Sequence, residues 1–310
     1  MTVMSHYASA VDPEAYGEYR VPRPDGRPLY RFTGRITTDG SSGFRAESGR
    51  YHIYAGWSCP WSHRVTIARA INGLQGVVTV SYVDGARDGR GWAFRERHGV
   101  DPVNGFTLLR HAYEATEPGF DGHVSVPTLW DRETGQVVSN DFRRIGIDLA
   151  TRFRPWSRPE VDTYPSRLRG EIEHLDSWIG PAVNRGMRRA AGDDAHAAAA
   201  RTELLDAFAR LERRLSRSRY LLGDSITEAD IRLWVSLVRY DVGPNATGRI
   251  NAGLPEYPHL WAYARDLYRH PAFQQTTDFG AFTDPRSLVP DWYAEDEPPA
   301  SALFSRANVG

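Results

Sequence analysis

Apolar and polar positions change their period several times along this chain, and each change marks an expected element. Tyr51-His52-Ile53-Tyr54-Ala55 alternates as a strand does and runs into Gly56-Trp57-Ser58-Cys59-Pro60. From Pro60 the spacing turns helical: Trp61, Val65, Ala68 and Ile71 recur at helical intervals, and Gly73 just beyond suits a C-terminal stop. Val77–Val83 predicts a second strand, which makes a βαβ unit whose crossover is right-handed almost without exception. The polar stretch from Asp84 to His123 is broken by one expected helix around Thr107–Ala115. Val126–Asp131 and Val137–Ser139 flank a turn at Glu133-Thr134-Gly135. They predict a hairpin that feeds a helix starting near Asn140 or Asp141.

Arg154-Pro155-Trp156-Ser157-Arg158-Pro159 is the best linker. Beyond it the periodicity is helical: Leu168, Ile172, Leu175 and Ile179 form one stripe, and Leu204, Leu205, Phe208, Leu211 and Leu215 a second. Thr227 followed by Asp230 forms a capping-box-like start for a third helix, and Leu260–Tyr268 makes a fourth before Pro271. The expected organisation is an irregular extension over 1–45, rich in Gly, Pro, Arg and Ser and carrying Tyr16, Tyr19, Tyr30 and Phe32. An α/β domain over 46–153, an all-helical domain over 160–284 and an irregular tail over 285–310 follow.

Composition narrows the functional classes. The 310 residues are ample for a hydrophobic core, and a net charge of -1 gives no reason to expect nucleic acid or an anionic membrane as partner. Lysine is absent, so all 38 Lys+Arg positions are arginine. That bias suits a GC-rich genome more than a recognition surface. Met1 to Tyr19 has neither a basic start nor an apolar core, and no apolar run is long enough to span a bilayer, so a cytoplasmic protein is expected. The single cysteine excludes an intrachain disulfide, a Cys-only metal site and a resolving cysteine in the same chain. No metal site and no permanently bound cofactor are predicted.

The strongest chemical signal is Cys59 itself, the predicted catalytic residue. Lying after a strand and before Pro60, it falls at or near a helix N-cap, because proline is favoured at the first helical position. Amide groups and the positive end of the helix dipole then face the sulfur and favour the thiolate, a nucleophile toward sulfur or electrophilic carbon. The competing reading is a buried, inert cysteine. Pro60, Trp61 and His63 are candidate support for this helix start. His63 shares a helix face with Cys59 and either steadies the thiolate or packs structurally.

Two further features sit at element starts. Val126-Pro127 suits a cis peptide that leaves the Val126 backbone open to a peptide-like ligand, or plain edge-strand punctuation. Ser139-Asn140-Asp141 opens a helix whose amides can hold a ligand carboxylate, or whose side chains simply cap it.

These blocks resemble the Xi-class glutathione transferases, the glutathionyl-hydroquinone reductases related to the omega class. The resemblance is carried by Arg50–Tyr54, Cys59-Pro60-Trp61-Ser62-His63-Arg64, Gly91-Trp92-Ala93-Phe94, Val126–Asp131 and Val138-Ser139-Asn140. It continues in Tyr220–Asp224, Thr227–Leu233 and Tyr257–Tyr263, covering residues near 45 to 280. It implies a thioredoxin-like N-terminal domain, an all-α C-terminal domain and a homodimer. It also implies a glutathione-type thiol as co-substrate and a hydrophobic, aromatic acceptor. By the same resemblance Cys59 attacks the glutathione sulfur, Trp92 lies against the tripeptide, Val126 and Pro127 meet its cysteinyl backbone, and the Asn140–Asp141 region holds the γ-glutamyl end.

The chain departs from that family in places that matter. Asp141-Phe142 stands where members carry Glu-Ser, and Phe142 cannot donate the serine's hydrogen bond; losing one to a charged group costs about 1.5–3 kcal/mol. Arg188 and Val242-Gly243-Pro244-Asn245 replace stretches that bear the family's hydroquinone-binding tyrosines. Loss of the serine is what mycothiol, a thiol without a γ-glutamyl group, would permit. Conjugation of a thiol to an electrophile, and ligand storage without catalysis, are the alternatives to a Cys59-dependent reductase. Trp57, Trp61, Trp92 and Trp234 suggest an aromatic-friendly cavity, although core packing explains Trp234 equally well.

Overall fold

The computed structural model describes residues 7–21, 26–158 and 162–293. The chain divides into two compact units, Met1–Val161 and Asp162–Gly310.

The first unit is built on β1 (Tyr51–Gly56), β2 (Thr79–Val83), β3 (Thr128–Asp131) and β4 (Gln136–Ser139), in the spatial order β2-β1-β3-β4. β1 pairs parallel with β2 (Ile53 opposite Val80) and antiparallel with β3 (Ile53 opposite Leu129), and β3 and β4 form the antiparallel hairpin. This is the thioredoxin-like sheet. Every residue of β1 is buried because the strand is central and both its faces are covered. Tyr51, Ile53 and Ala55 pack in one apolar cluster with Val65, Ile145 and Leu149. Those partners come from α2 (Pro60–Ile71) and α4 (Phe142–Arg152). On the other face Tyr54 joins Trp92, Phe94, Tyr113 and Trp130, covered by α3 (Arg110–Thr116).

The elements shift modestly from the sequence pattern. β2 begins at Thr79, because Val77 and Val78 instead donate their amides to Leu74 O at 3.0 and 2.9 Å in the turn closing α2. α3 starts at Arg110 because residues 107–109 run beside 92–94. There Phe94 N–H reaches Thr107 O and Leu109 N–H reaches Trp92 O, each at 2.9 Å.

The extension is tied down at two places. A short helix, α1 (Pro13–Tyr16), is capped by Asp12, whose own amide donates to the buried Asp88 carboxylate at 3.0 Å. Further on, residues 32–34 lie antiparallel against the end of β4. Asn140 N–H donates to Phe32 O and Gly34 N–H to Val138 O, both at 2.9 Å, and Thr33 bridges Ser139. Only glycine fits at 34, since a Cβ there would come within 2.5 Å of Val138 O.

The second unit is helical: α5 (Arg169–Ile179), α6 (Gly186–Ala190), α7 (Ala195–Leu215), α8 (Glu228–Tyr240), α9 (Pro258–Arg269) and α10 (Pro271–Gln274). A π-helical turn over Gly180–Asn184 extends α5 where Pro181 interrupts regular pairing. α8 is buried along its whole length, as a core helix must be. Its Asp230 carboxylate accepts hydrogen bonds from the amides of Leu221 (2.9 Å) and Thr227 (2.7 Å) and from the hydroxyls of Thr227 (2.9 Å) and Tyr263 (3.0 Å). Trp234 is fully buried here and donates to Ala264 O at 2.8 Å, so its part is core packing. Of the expected tail, Trp292 is buried against Trp261 and Tyr268, and residues 294–310 lie outside the described residues. Among the described residues no helix is long and apolar enough to cross a membrane.

Candidate active site

Cys59 occupies the N-cap of α2 with extended backbone (φ -85°, ψ 117°), and Pro60 takes the first helical position. The turn leading to it is short and held at both ends. Cys59 N–H donates to Gly56 O at 3.1 Å, and Gly56 N–H donates to the buried Ser62 hydroxyl at 3.1 Å. His63 N–H closes the first helical bond onto Cys59 O at 3.1 Å, and the His63 ring is buried in α2. Cys59 is half-buried and carries no disulfide; its Sγ lies 3.4 Å from Val126 O. The first turn of α2 leaves amides without helical partners, and Cys59 sits at that end.

The Val126–Pro127 peptide is cis. Beneath it lies a buried polar knot, in which the Tyr113 hydroxyl lies 3.0 Å from Ser125 O and 2.8 Å from the Thr128 hydroxyl. Val126 and Trp92 converge on Gly56: a Cβ at that glycine would stand 3.3 Å from Val126 Cγ2 and 3.6 Å from Trp92 Cζ3. Trp92 is itself 7% exposed, so the strand end, the tryptophan and Val126 form one wall beside the sulfur.

The start of α4 forms another wall, and its residues divide by role. Asn140 is 1% exposed and both ends of its amide are engaged, accepting from Phe32 N–H at 3.2 Å and donating to the Ser125 hydroxyl at 3.2 Å. Its side chain therefore anchors the extension to the start of α4. Asp141 caps α4 by accepting from Arg143 N–H at 3.2 Å, and its carboxylate pairs with Arg143 Nε at 2.9 Å and Arg144 Nε at 3.4 Å. Phe142 stacks on Trp61 with ring centroids 4.6 Å apart, and the buried Arg64 guanidinium lies over both rings at 4.8 and 5.6 Å. Trp61 thus braces the first turn of α2 against the first turn of α4. Trp57 stacks on Tyr82 at 3.9 Å.

The remaining edge comes from residues to which the sequence pattern gave no role in the site. Tyr30 meets Phe142 edge-on at 5.9 Å and His123 at 6.4 Å. His123 Nδ1 lies 3.2 Å from the Tyr19 hydroxyl, and Arg87 is sandwiched between Tyr19 (4.2 Å) and Trp92 (4.0 Å). These contacts join Trp92 to Phe142 through the extension. Burial, and then the charge Cys59 carries when ionised, push the Tyr30 hydroxyl above the usual phenol range, with Arg143 opposing. Burial likewise raises Tyr19, and burial together with Arg87 lowers His123, which favours its neutral ring. No spacing rule links residues 19, 30, 87 and 123; the only sequence signal was that the extension is rich in aromatics. Among the described residues no group of three or more His, Cys, Asp or Glu could hold a metal ion.

The chain is similar in sequence and in structure to known glutathione transferases. Residues 58–152 match the glutathione S-transferase N-terminal domain family, and residues 194–266 match its C-terminal domain family. Glutathionyl-hydroquinone reductase YqjG of Escherichia coli is 35% identical over 269 residues, covering 82% of this chain and 81% of that protein. The glutathione-bound structure of YqjG superposes with a TM-score of 0.79 at 30% identity, over 88% of this chain and 96% of the other. A Xi-class transferase from Natrialba magadii gives a TM-score of 0.78 at 30% identity, over 86% and 89% of the two chains.

Proposed function

We propose that the chain, which belongs to the Xi class of glutathione transferases and is an enzyme of that family, removes a glutathione-like thiol from an aromatic, hydroquinone-type adduct, or from a mixed disulfide, through Cys59. The observation that carries this reading is the half-buried Cys59 at the N-cap of α2, its sulfur 3.4 Å from Val126 O. The Cys59 thiolate attacks the sulfur of the adduct, the bond from that sulfur to the aryl carbon breaks, and a Cys59 mixed disulfide remains. A second thiol resolves it, since the chain has no second cysteine.

In this reading the Val126 backbone, beside Pro127, pairs with the cysteinyl part of the co-substrate, and Trp92 flanks it. Its carboxylate end meets the start of α4, where the helix dipole and the Arg143 and Arg144 guanidiniums supply positive charge beside Asp141. Pro60, Trp61 and His63 hold the helix start. Glutathione is the co-substrate, nothing stays bound between turnovers, and the protein works as a homodimer in a reducing compartment such as the cytoplasm. YqjG is named for glutathionyl-hydroquinone reduction, which supports glutathione as the thiol and an aryl acceptor.

Phe142 favours one second reading. Its ring, stacked on Trp61, fills the position where a serine hydroxyl would grip a γ-glutamyl carboxylate, which suits mycothiol. Intact mass after incubation with each thiol's disulfide and aryl thioether tests both. A single adduct on wild-type protein, lost in Cys59→Ser, is expected. Aryl-thioether cleavage that survives the substitution would refute the Cys59 reading, and conjugation that persists alone would replace it.

A further inference from the structure

Breaking an aryl thioether requires something that a disulfide does not. When the Cys59 thiolate takes the glutathione sulfur, the electron pair of the broken sulfur–carbon bond leaves with the aryl group, and one proton must be delivered to it. With a disulfide substrate the leaving group is a thiolate that departs unprotonated. An acid is therefore needed beside Cys59 for one of the two reactions and not for the other.

The tyrosines and histidines around Cys59 differ sharply in what their polar atoms already do. Tyr113 is sealed under the Val126–Pro127 turn with its hydroxyl held by Ser125 and Thr128. Tyr54 is bonded to Asp101 and Asn104. His52 bridges Thr79 and Ser81, and the Tyr19 hydroxyl faces His123. Tyr30 is half-buried, and among the described residues its hydroxyl has no hydrogen-bond partner. Its place is set by the backbone, because residues 32–34 are locked to Ser139, Asn140 and Val138, two residues downstream. The ring is gripped from the side by Phe142 and His123.

We propose that Tyr30, supplied by the N-terminal extension, is a catalytic residue whose hydroxyl contacts the departing aryl group and gives it its proton. This deepens the Cys59 reading and rests on it. The balance closes: the incoming second thiol ionises, returns its proton to Tyr30, attacks the mixed disulfide and restores the Cys59 thiolate. The net change is thioether plus thiol to arene plus disulfide. The raised proton affinity that burial and the Cys59 charge impose on Tyr30 keeps it protonated until the leaving group takes the proton.

Tyr30→Phe tests this, because it retains the ring and its edge contact with Phe142. Two reactions of the full-length protein are compared: release of free hydroquinone from glutathionyl-hydroquinone, and formation of the Cys59 adduct from glutathione disulfide, read by intact mass. Hydroquinone release should slow by about 100-fold or more in kcat with KM nearly unchanged, while adduct formation from the disulfide keeps its rate. Equal slowing of both reactions overturns the proposal, since Tyr30 would then only shape the thiol site; so does no slowing of either. A wild-type protein that takes no adduct in either assay overturns the Cys59 premise, and the role of Tyr30 with it. Far-UV circular dichroism of the variant separates a lost acid from a lost fold.

Discussion

Replacing Phe142 by serine restores a hydroxyl at the first residue of α4, where the glutathione carboxylate is proposed to lie. Two opposed effects follow, and their sizes differ enough to be read separately. A hydrogen bond from a hydroxyl to a charged group is worth about 1.5–3 kcal/mol, or roughly 10- to 150-fold in dissociation constant. Against this, the variant loses the stack on Trp61 at 4.6 Å, worth about 0.5–1.5 kcal/mol, and the Arg64 contact at 5.6 Å, worth about 0.5–1 kcal/mol. Together with lost apolar burial, the fold should weaken by about 2–3 kcal/mol. Phe142→Ser should therefore bind glutathione at least tenfold tighter by calorimetry while melting several degrees lower. Phe142→Ala, which opens the same space without a hydroxyl, melts equally low and gains little affinity, so the difference between the two isolates the hydrogen bond. N-acetylcysteine, lacking the γ-glutamyl group, should not distinguish them. If serine and alanine bind glutathione alike, the carboxylate does not lie at the start of α4 and the assignment of that wall fails.

Other consequences concern stability and the shape of the site. Asp230→Ala leaves four buried donors without an acceptor and should cost about 3–5 kcal/mol in urea unfolding; a loss under about 1 kcal/mol would contradict the bonding described for α8. His52, buried and flanked by Arg132 and Arg69, has its pKa pushed down to about 3, below the ordinary value of 6.5, so it folds neutral. The unfolded chain then binds a proton that the folded one refuses. The stability this contributes is fully present above about pH 6.5 and is lost as pH falls toward about 3. Between pH 7 and 4.5 it should remove roughly 2–3 kcal/mol, and His52→Gln should show a visibly shallower pH dependence of the urea midpoint. Gly56→Ala puts a methyl 3.3 Å from Val126 Cγ2 and should displace the carbonyl that faces Cys59. Thiol KM should rise severalfold, and an unchanged KM would show that Val126 does not position the co-substrate.

The order of elements in the first unit was legible because its signals are local. Strand alternation up to Ala55, helical spacing from Pro60 and a proline at the first helical position together place Cys59 at an N-cap, whatever the rest of the chain does. The capping pair Thr227 and Asp230 was equally local. Boundaries were less secure where long-range pairing competes with spacing. Residues 107–109 look helical in isolation, but the Leu109 amide donates to Trp92 O and the Thr107 carbonyl accepts from Phe94 N–H.

The sequence by itself thus determined the fold class, the family and the place of Cys59 at a helix start, all of which depend on residues close together in the chain. Only the tertiary structure decided what surrounds that sulfur. The Asn140 side chain accepts from Phe32 N–H across 108 positions, and Tyr19 finds His123 across 104. Such pairs leave no periodic trace, because their partners are chosen by where a sheet edge and a docked extension happen to converge. The walls around Cys59 are therefore a property of the folded chain, while the N-cap place of its sulfur was already visible in the sequence.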